Sequence, residues 1–237
     1  MFKNSVRLWW VQRCHPLPER VKMEPIITAY SHIHDNKVLV NGRLVFYQEN
    51  ILKFADFVKT VFKQEQVAYP KFYKMDAVSK LGFLAAELVM KENKPGRYRP
   101  EEVGVVLSNS SSSLDTDIAH NETIKDRSGY FPSPSVFVYT LPNIVIGEIC
   151  IKNNIKGENA FLISESFNSK LLFDYVKELF NNERVKACLC GWVEVLGNKC
   201  NAIVMMVEMA DRPSVAGESG FTPIAFNVEN LNFLNET

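Results

Sequence analysis

The sequence carries no excess charge of either sign. Lys plus Arg and Asp plus Glu each number 27 in 237 residues, so the formal net charge is zero. General binding to nucleic acid or to an anionic membrane needs a basic field, and this chain lacks one. Long apolar runs are missing as well. Residues 144–146 and 202–207 fall far short of the ~20 residues needed to span a bilayer, so no membrane span is expected. Cysteine is sparse at five, an odd number, and Cys150, Cys188 and Cys190 sit inside apolar runs. That usage suits a reducing compartment rather than a disulfide framework, and a cytoplasmic location is expected. Catalytic signatures are scarce too. The chain has no Gly-x-Ser-x-Gly elbow, no His-Glu-x-x-His, no Gly-x-Gly-x-x-Gly and no phosphate-binding frame around its serine run.

What is present is an ordinary globular composition, 46% hydrophobic and 23% charged, enough for one large domain or two small ones. Residues 1–22 carry five basic residues against one acid, around an apolar centre too short for a signal peptide. Two readings stand for this segment: a translated extension, or an artefact of start-site choice with Met23 as the true start.

A β-branched run at 26–30 reads as a strand. Two apolar runs flank Asn41-Gly42 within 37–46, a strong hairpin signal. Ile51, Phe54, Ala55, Val58, Val61 and Phe62 recur at helical spacing until Tyr69-Pro70 breaks the pattern. A second helix carries Met75, Val78, Leu81, Gly82, Ala85, Ala86 and Val89 on one face. Its small residues admit another backbone, which predicts a central helix. Residues 103–107 read as a buried parallel strand. A helix is expected at 115–125, a proline-bearing loop at 129–135 and a loop turning into a helix near Pro142. Residues 160–163 read as a strand and 169–180 as an amphipathic helix. Strands at 186–195 and 202–209 meet antiparallel across Gly197-Asn198. From residue 103 onward this order alternates strand and helix and then closes on two strands, which argues a layered α/β domain. Residues 211–237 read as a C-terminal tail that packs on another surface.

Several groups could carry chemistry. His32-x-His34 places two imidazoles on one strand face beside Asp35, but without a third ligand it reads as a polar strand end near a turn. Cys188-x-Cys190 reads as a pair of small buried hydrophobes. Ser110–Ser113 reads as a solvated strand-to-helix loop. No metal and no cofactor is expected.

One stretch is more specific. Tyr130-Phe-Pro-Ser-Pro-Ser-Val-Phe-Val-Tyr-Thr-Leu-Pro-Asn-Ile-Val-Ile-Gly147 leads to Ile155-Lys-Gly-Glu-Asn159. Upstream lie Phe72-Tyr-Lys-Met-Asp-Ala-Val-Ser-Lys80 and Val103-Gly-Val-Val-Leu-Ser-Asn109, and downstream lies the segment from Ala187 to Glu194. In this order the motifs resemble β-ketoacyl-acyl-carrier-protein synthases of the thiolase superfamily, over residues 23–210, the N-terminal half of a synthase. The resemblance implies a thiolase-like fold, a single layered α/β half with a mixed, mostly parallel five-stranded sheet and helices on both faces.

It also implies a nucleophilic Cys nine positions after the turn glycine. Counting from Gly157 reaches Ser166, with Glu165 beside it, and no Cys lies between Cys150 and Cys188. A serine there needs a general base that a low-pKa thiolate does not. The family's two catalytic His and its Lys belong to a C-terminal half without a counterpart here, and no catalytic residue is expected. The chain thus resembles a chain-length factor, the non-nucleophilic partner of a full-length ketosynthase in fatty-acid, polyketide and aryl-polyene systems. The implied partners are that ketosynthase, as a heterodimer, and indirectly an acyl carrier protein. Phe137, Tyr139, Thr140, Leu141 and Asn143 are the implied acyl-tunnel and interface residues, with Phe161 and Ile163 at the dimer axis. A half-domain should also bare an apolar face to its tail or to a partner. The competing reading is a Ser-nucleophile acyltransferase or hydrolase, with Glu165 or His120 serving Ser166 as base.

Overall fold

The computed structural model describes residues 23–49, 53–93, 96–126, 131–210 and 220–236; residues 1–22 lie outside them. The chain opens with β1 (Glu24–His34), β2 (Lys37–Val40) and β3 (Arg43–Tyr47). Asn41 and Gly42 close the second hairpin at φ 52° and 76°. These positive values match the right-handed twist of the flanking strands, which is why Asn-Gly marks such turns.

Helix α1 (Phe54–Gln64) buries Phe54, Phe57, Val58, Val61 and Phe62 along one stripe. Pro70 then opens a 3-10 turn, Pro70–Lys74. Helix α2 (Ala77–Glu92) begins at Asp76, whose carboxylate accepts from Ser79 N at 2.9 Å. Its central role is as expected: twelve of its sixteen residues are buried. Gly82 is required there, because a Cβ would lie 2.6 Å from Val145 Cγ2 on a neighbouring helix.

The remaining elements are β4 (Val103–Asn109), α3 (Leu114–Ile124), α4 (Pro134–Phe137), α5 (Ile144–Asn153), β5 (Asn159–Ile163), α6 (Ser169–Asn181), β6 (Ala187–Leu196), β7 (Lys199–Ala210), β8 (Ile224–Ala225) and α7 (Val228–Glu236). One mixed sheet joins the strands in the order β3-β2-β1-β7-β6-β4-β5, with β8 on β1. Helices cover both faces, as expected. The strand count and balance differ from the expected mostly parallel five. Among the described residues the sheet has eight strands, and only β4–β5 and β4–β6 are parallel. Parallel pairing needs long crossovers, and only the segments around α5 and α6 supply them. Hairpins and the β1–β7 pairing supply the antiparallel remainder.

One core lies between the sheet and α1, α2 and α5, and a second between the sheet and α6 and α7. β1 serves both through a bulge between Ile27 and Ala29. Ile27 and Tyr30 face the second core, whereas Ala29 and Ile33 face the first. Each large apolar side chain wholly buried here, such as Phe57, Phe83 or Leu84, contributes about 1.5–3 kcal/mol.

The described part of the C-terminal segment holds β8 and α7, and Leu231 and Leu234 of α7 are buried in the second core, so the tail itself covers an apolar sheet face, one of the two covers expected. A group of exposed apolar side chains, Leu114, Ile118, Phe137, Val138 and Leu141, lies on α3, α4 and the turn after α4. Among the described residues no single helix is long and apolar enough to cross a membrane.

Candidate functional site

β5 is the outermost strand at one end of the sheet and pairs with β4 alone, from Val105↔Asn159 to Asn109↔Ile163. A parallel strand is ordinarily buried on both sides. Here the outer backbone edge is open, and every residue of β5 keeps some exposure, Ile163 most of the apolar ones at 53%. Phe161 packs toward the α2–α5 core and Leu162 toward the opposite core.

β5 leads into the loop that carries Ser166. Ser164 N continues the ladder to Asn109 O at 3.0 Å, and Ser164 Oγ donates to the Ser166 carbonyl at 2.8 Å. Asn168 caps α6, its Oδ1 accepting from Leu171 N at 2.9 Å. The cap therefore occupies the helix N-terminus, and Ser166 stands two residues before it. Glu165 and Ser166 are both exposed on a polar hollow of about 350 Å³ lined by residues 164–170. Among the described residues no side chain hydrogen-bonds Ser166 Oγ. His120, on α3, stands beside the Phe137 ring at 5.4 Å between centroids.

The segment 134–143 packs beside α3. Ser113 Oγ donates to Thr140 O at 2.6 Å, and Thr140 Oγ1 donates to Phe137 O at 2.8 Å. Phe137 and Leu141 project outward, 57% and 55% exposed. Asn143, at the N-cap of α5, is also exposed. Tyr139 departs from its neighbours. It is half-buried, and its hydroxyl donates to Glu148 Oε1 at 3.3 Å. Glu148 is buried on α5 and also accepts from Tyr69 OH at 2.7 Å and Lys71 Nζ at 3.4 Å. Burial, then the nearby carboxylate, push the Tyr139 phenol up to about 12 and the Tyr69 phenol higher still. Both remain protonated donors.

A second carboxylate fixes the loop after β4. Glu194 accepts from Ser110 N at 2.6 Å, Ser110 Oγ at 2.7 Å, Ser111 N at 3.2 Å and Ser111 Oγ. Burial alone would raise its pKa, but these hydrogen bonds outweigh it and hold the group below the usual carboxylate range. The expected solvated serine loop is thus pinned to β6, with Ser113 itself buried. Cys188 and Cys190 are buried as expected, and burial raises the Cys190 thiol. Glu148 escaped notice in the sequence, although a lone acid within an apolar run was a signal available; Glu194 closes the segment from Ala187 that carried the resemblance, but its hold on the serine loop was not among the expectations.

No protein-family model and no curated protein matches the sequence. Solved structures do. The ishigamide ketosynthase/chain length factor aligns with a TM-score of 0.60 at 17% identity, over 80% of this chain and 64% of that one. The complex of the ketosynthase ApeO with its chain length factor ApeC from Xenorhabdus doucetiae aligns at 0.51 and 14% identity, over 91% of both chains. A β-ketoacyl synthase from Burkholderia phymatum STM815 aligns at 0.55 and 12% identity, over 80% of this chain and 60% of that one. This chain thus spans less than two thirds of the first and third, but nearly all of the matched chain in the second. Its fold is the thiolase-like fold of ketosynthases and chain length factors.

Proposed function

We propose that the chain is a chain-length-factor-like subunit that pairs with a ketosynthase in the cytoplasm and takes no nucleophilic part in condensation. The open edge of β5 carries this reading. Its unpaired N–H and C=O groups can be satisfied by a strand of a partner, and an uncovered edge is a liability in a lone chain. The exposed side chains of Phe137, Leu141 and Ile163 give apolar area for such a contact. The likeness to ketosynthase and chain-length-factor complexes supports the same reading, including the acyl carrier protein as the ketosynthase's substrate carrier.

In this reading Phe137 and Leu141 act sterically, limiting the depth available to a growing acyl chain in the ketosynthase. Tyr139 supports that segment from within through Glu148. Acyl transfer by Ser166 itself is the competing reading. The strand-to-helix loop and its polar hollow favour it, but neither Glu165 nor His120 hydrogen-bonds the hydroxyl, and a serine without a base is a poor nucleophile. Native mass spectrometry of the tagged chain isolated from its host separates the two. A ketosynthase recovered in equal stoichiometry is the expected result; a stable lone monomer or homodimer would sink the proposal.

A further inference from the structure

β1 ends at His34, where Asp35 and Asn36, at φ 45° and 57°, turn the chain back into β2. His32 and His34 share one face of β1, and their rings lie 4.2 Å apart between centroids. The β1–β7 register sets Asn201 directly opposite His34 and Ile203 opposite His32. The Asn201 side chain stands beside the His32 ring. His32 keeps only 3% of its surface, so it is a core residue rather than part of a polar strand end.

Four buried polar atoms at this point have no hydrogen-bond partner: both ring nitrogens of His32, Nε2 of His34 and Oδ1 of Asn201. An unpaired buried polar atom is costly, and one in a native fold calls for a water or an ion. A neutral His32 carries a lone pair on one of its two ring nitrogens, so these adjacent side chains offer three lone pairs, and three call for an occupant that accepts them. Asp35 Oδ2 lies 3.3 Å from His34 Nδ1. With the proton on Nδ1 donated to this carboxylate, Nε2 is left as the lone-pair nitrogen, the arrangement outer carboxylates give metal-bound imidazoles.

We propose that His32, His34 and Asn201 Oδ1 bind one divalent first-row transition ion, of which Zn²⁺ is the probe of choice. Two imidazoles and a neutral oxygen suit Zn²⁺, Ni²⁺ or Cu²⁺, whereas Ca²⁺ and Mg²⁺ prefer sets made of oxygen. Among the described residues no group of three His, Cys, Asp or Glu can hold a metal, so the amide oxygen is the third donor and water completes the shell. The His-x-His pair alone is a weak signal; strand pairing across the sheet supplies the missing ligand. The bound ion would tie the β1–β2 turn to β7.

The test uses the full-length chain stripped with EDTA, titrated with Zn²⁺ by calorimetry and with Co²⁺ by visible absorption. One equivalent bound is expected, with a thermal midpoint that rises and saturates at that ratio. Asp35→Asn, at an exposed carboxylate, should weaken binding about 10–100-fold through loss of the outer contact. His34→Gln should abolish it, and a His15→Gln, His120→Gln double variant should bind as the parent does. A stripped chain indifferent to both ions overturns the proposal and leaves the site to an ordered water. Binding that survives His34→Gln overturns it equally. If His34→Gln does not fold, unchanged affinity in Asp35→Asn overturns it.

Discussion

Tyr139 donates its hydroxyl to Glu148 across 3.3 Å, and so turns inward the central aromatic of a segment whose neighbours Phe137 and Leu141 face out. The same carboxylate takes Tyr69 and Lys71, so one buried acid holds together α5, the turn after α4 and the 3-10 turn before α2. Glu148→Ala would strand these donors and should lower unfolding free energy by about 2–3 kcal/mol. Tyr139→Phe removes one bond and should cost about 1 kcal/mol. Urea denaturation of the two variants checks both values, and no loss in Tyr139→Phe would mean the bond contributes nothing.

The edge of β5 offers a cleaner separation of folding from association. Ile163 is 53% exposed in the lone chain, so Ile163→Asp should change its stability by no more than about 0.5 kcal/mol. In the proposed heterodimer the same charge would be buried in the contact, and affinity for the ketosynthase should fall at least tenfold. Analytical ultracentrifugation of the mixed subunits reads the loss. Undiminished pairing would place the interface elsewhere.

Glu102 accepts from Arg99 N at 2.9 Å and pairs with Arg99 and with Lys186, whose Nζ lies 2.9 Å away. The Lys186 hydrogen bond, then those from Arg99, hold its carboxyl near 2. A folded pKa below the unfolded one gives stability that is fully present above about 4.3 and lost as pH falls toward 2. Glu102→Gln should therefore flatten the acid limb of the stability profile between those values and leave its shape above pH 5 unaltered. An acid limb of the same slope in the variant would assign the loss to other carboxylates.

Ser166→Ala is the test of the loop. In a complex reconstituted with a ketosynthase, condensation should proceed at the parental rate, because among the described residues no side chain, Glu165 included, hydrogen-bonds the hydroxyl. A loss of more than about tenfold, equal to roughly 1.4 kcal/mol in the barrier, would restore the nucleophile reading.

The parts legible in the sequence were those set by local chemistry. Asn41-Gly42 demanded a hairpin, Pro70 marked a break that falls just beyond the end of α1 at Gln64 and opens a 3-10 turn, and Gly82 with Ala85 and Ala86 marked a helix that other elements approach closely. What stayed hidden depends on distant partners. Nothing near Ile26 signals that β1 will pair with a strand at 199–210, which is why antiparallel pairing was undercounted. The helix at Val228–Glu236 lies in an Asn-rich stretch of low propensity and is held by the burial of Leu231 and Leu234. In the candidate interface, the spacing of Phe137, Tyr139 and Leu141 could not show that Tyr139 answers to an acid nine residues on. The position of β5 at the sheet edge likewise belongs to strand order and leaves no mark in its five residues.

β1 is seated between β2 and β7, and Thr28, the residue in its bulge, donates its Oγ1 hydroxyl to Met206 O, 178 residues away along the chain. β1 must therefore wait, paired at most with its own hairpin, until the segment at 199–210 has been made. Such long-range closure slows folding, and its apolar residues stay accessible throughout. The sheet thus closes only after β7 has emerged, and a chaperone that shields residues 24–34 should raise the yield of native chain more than one acting on the helices.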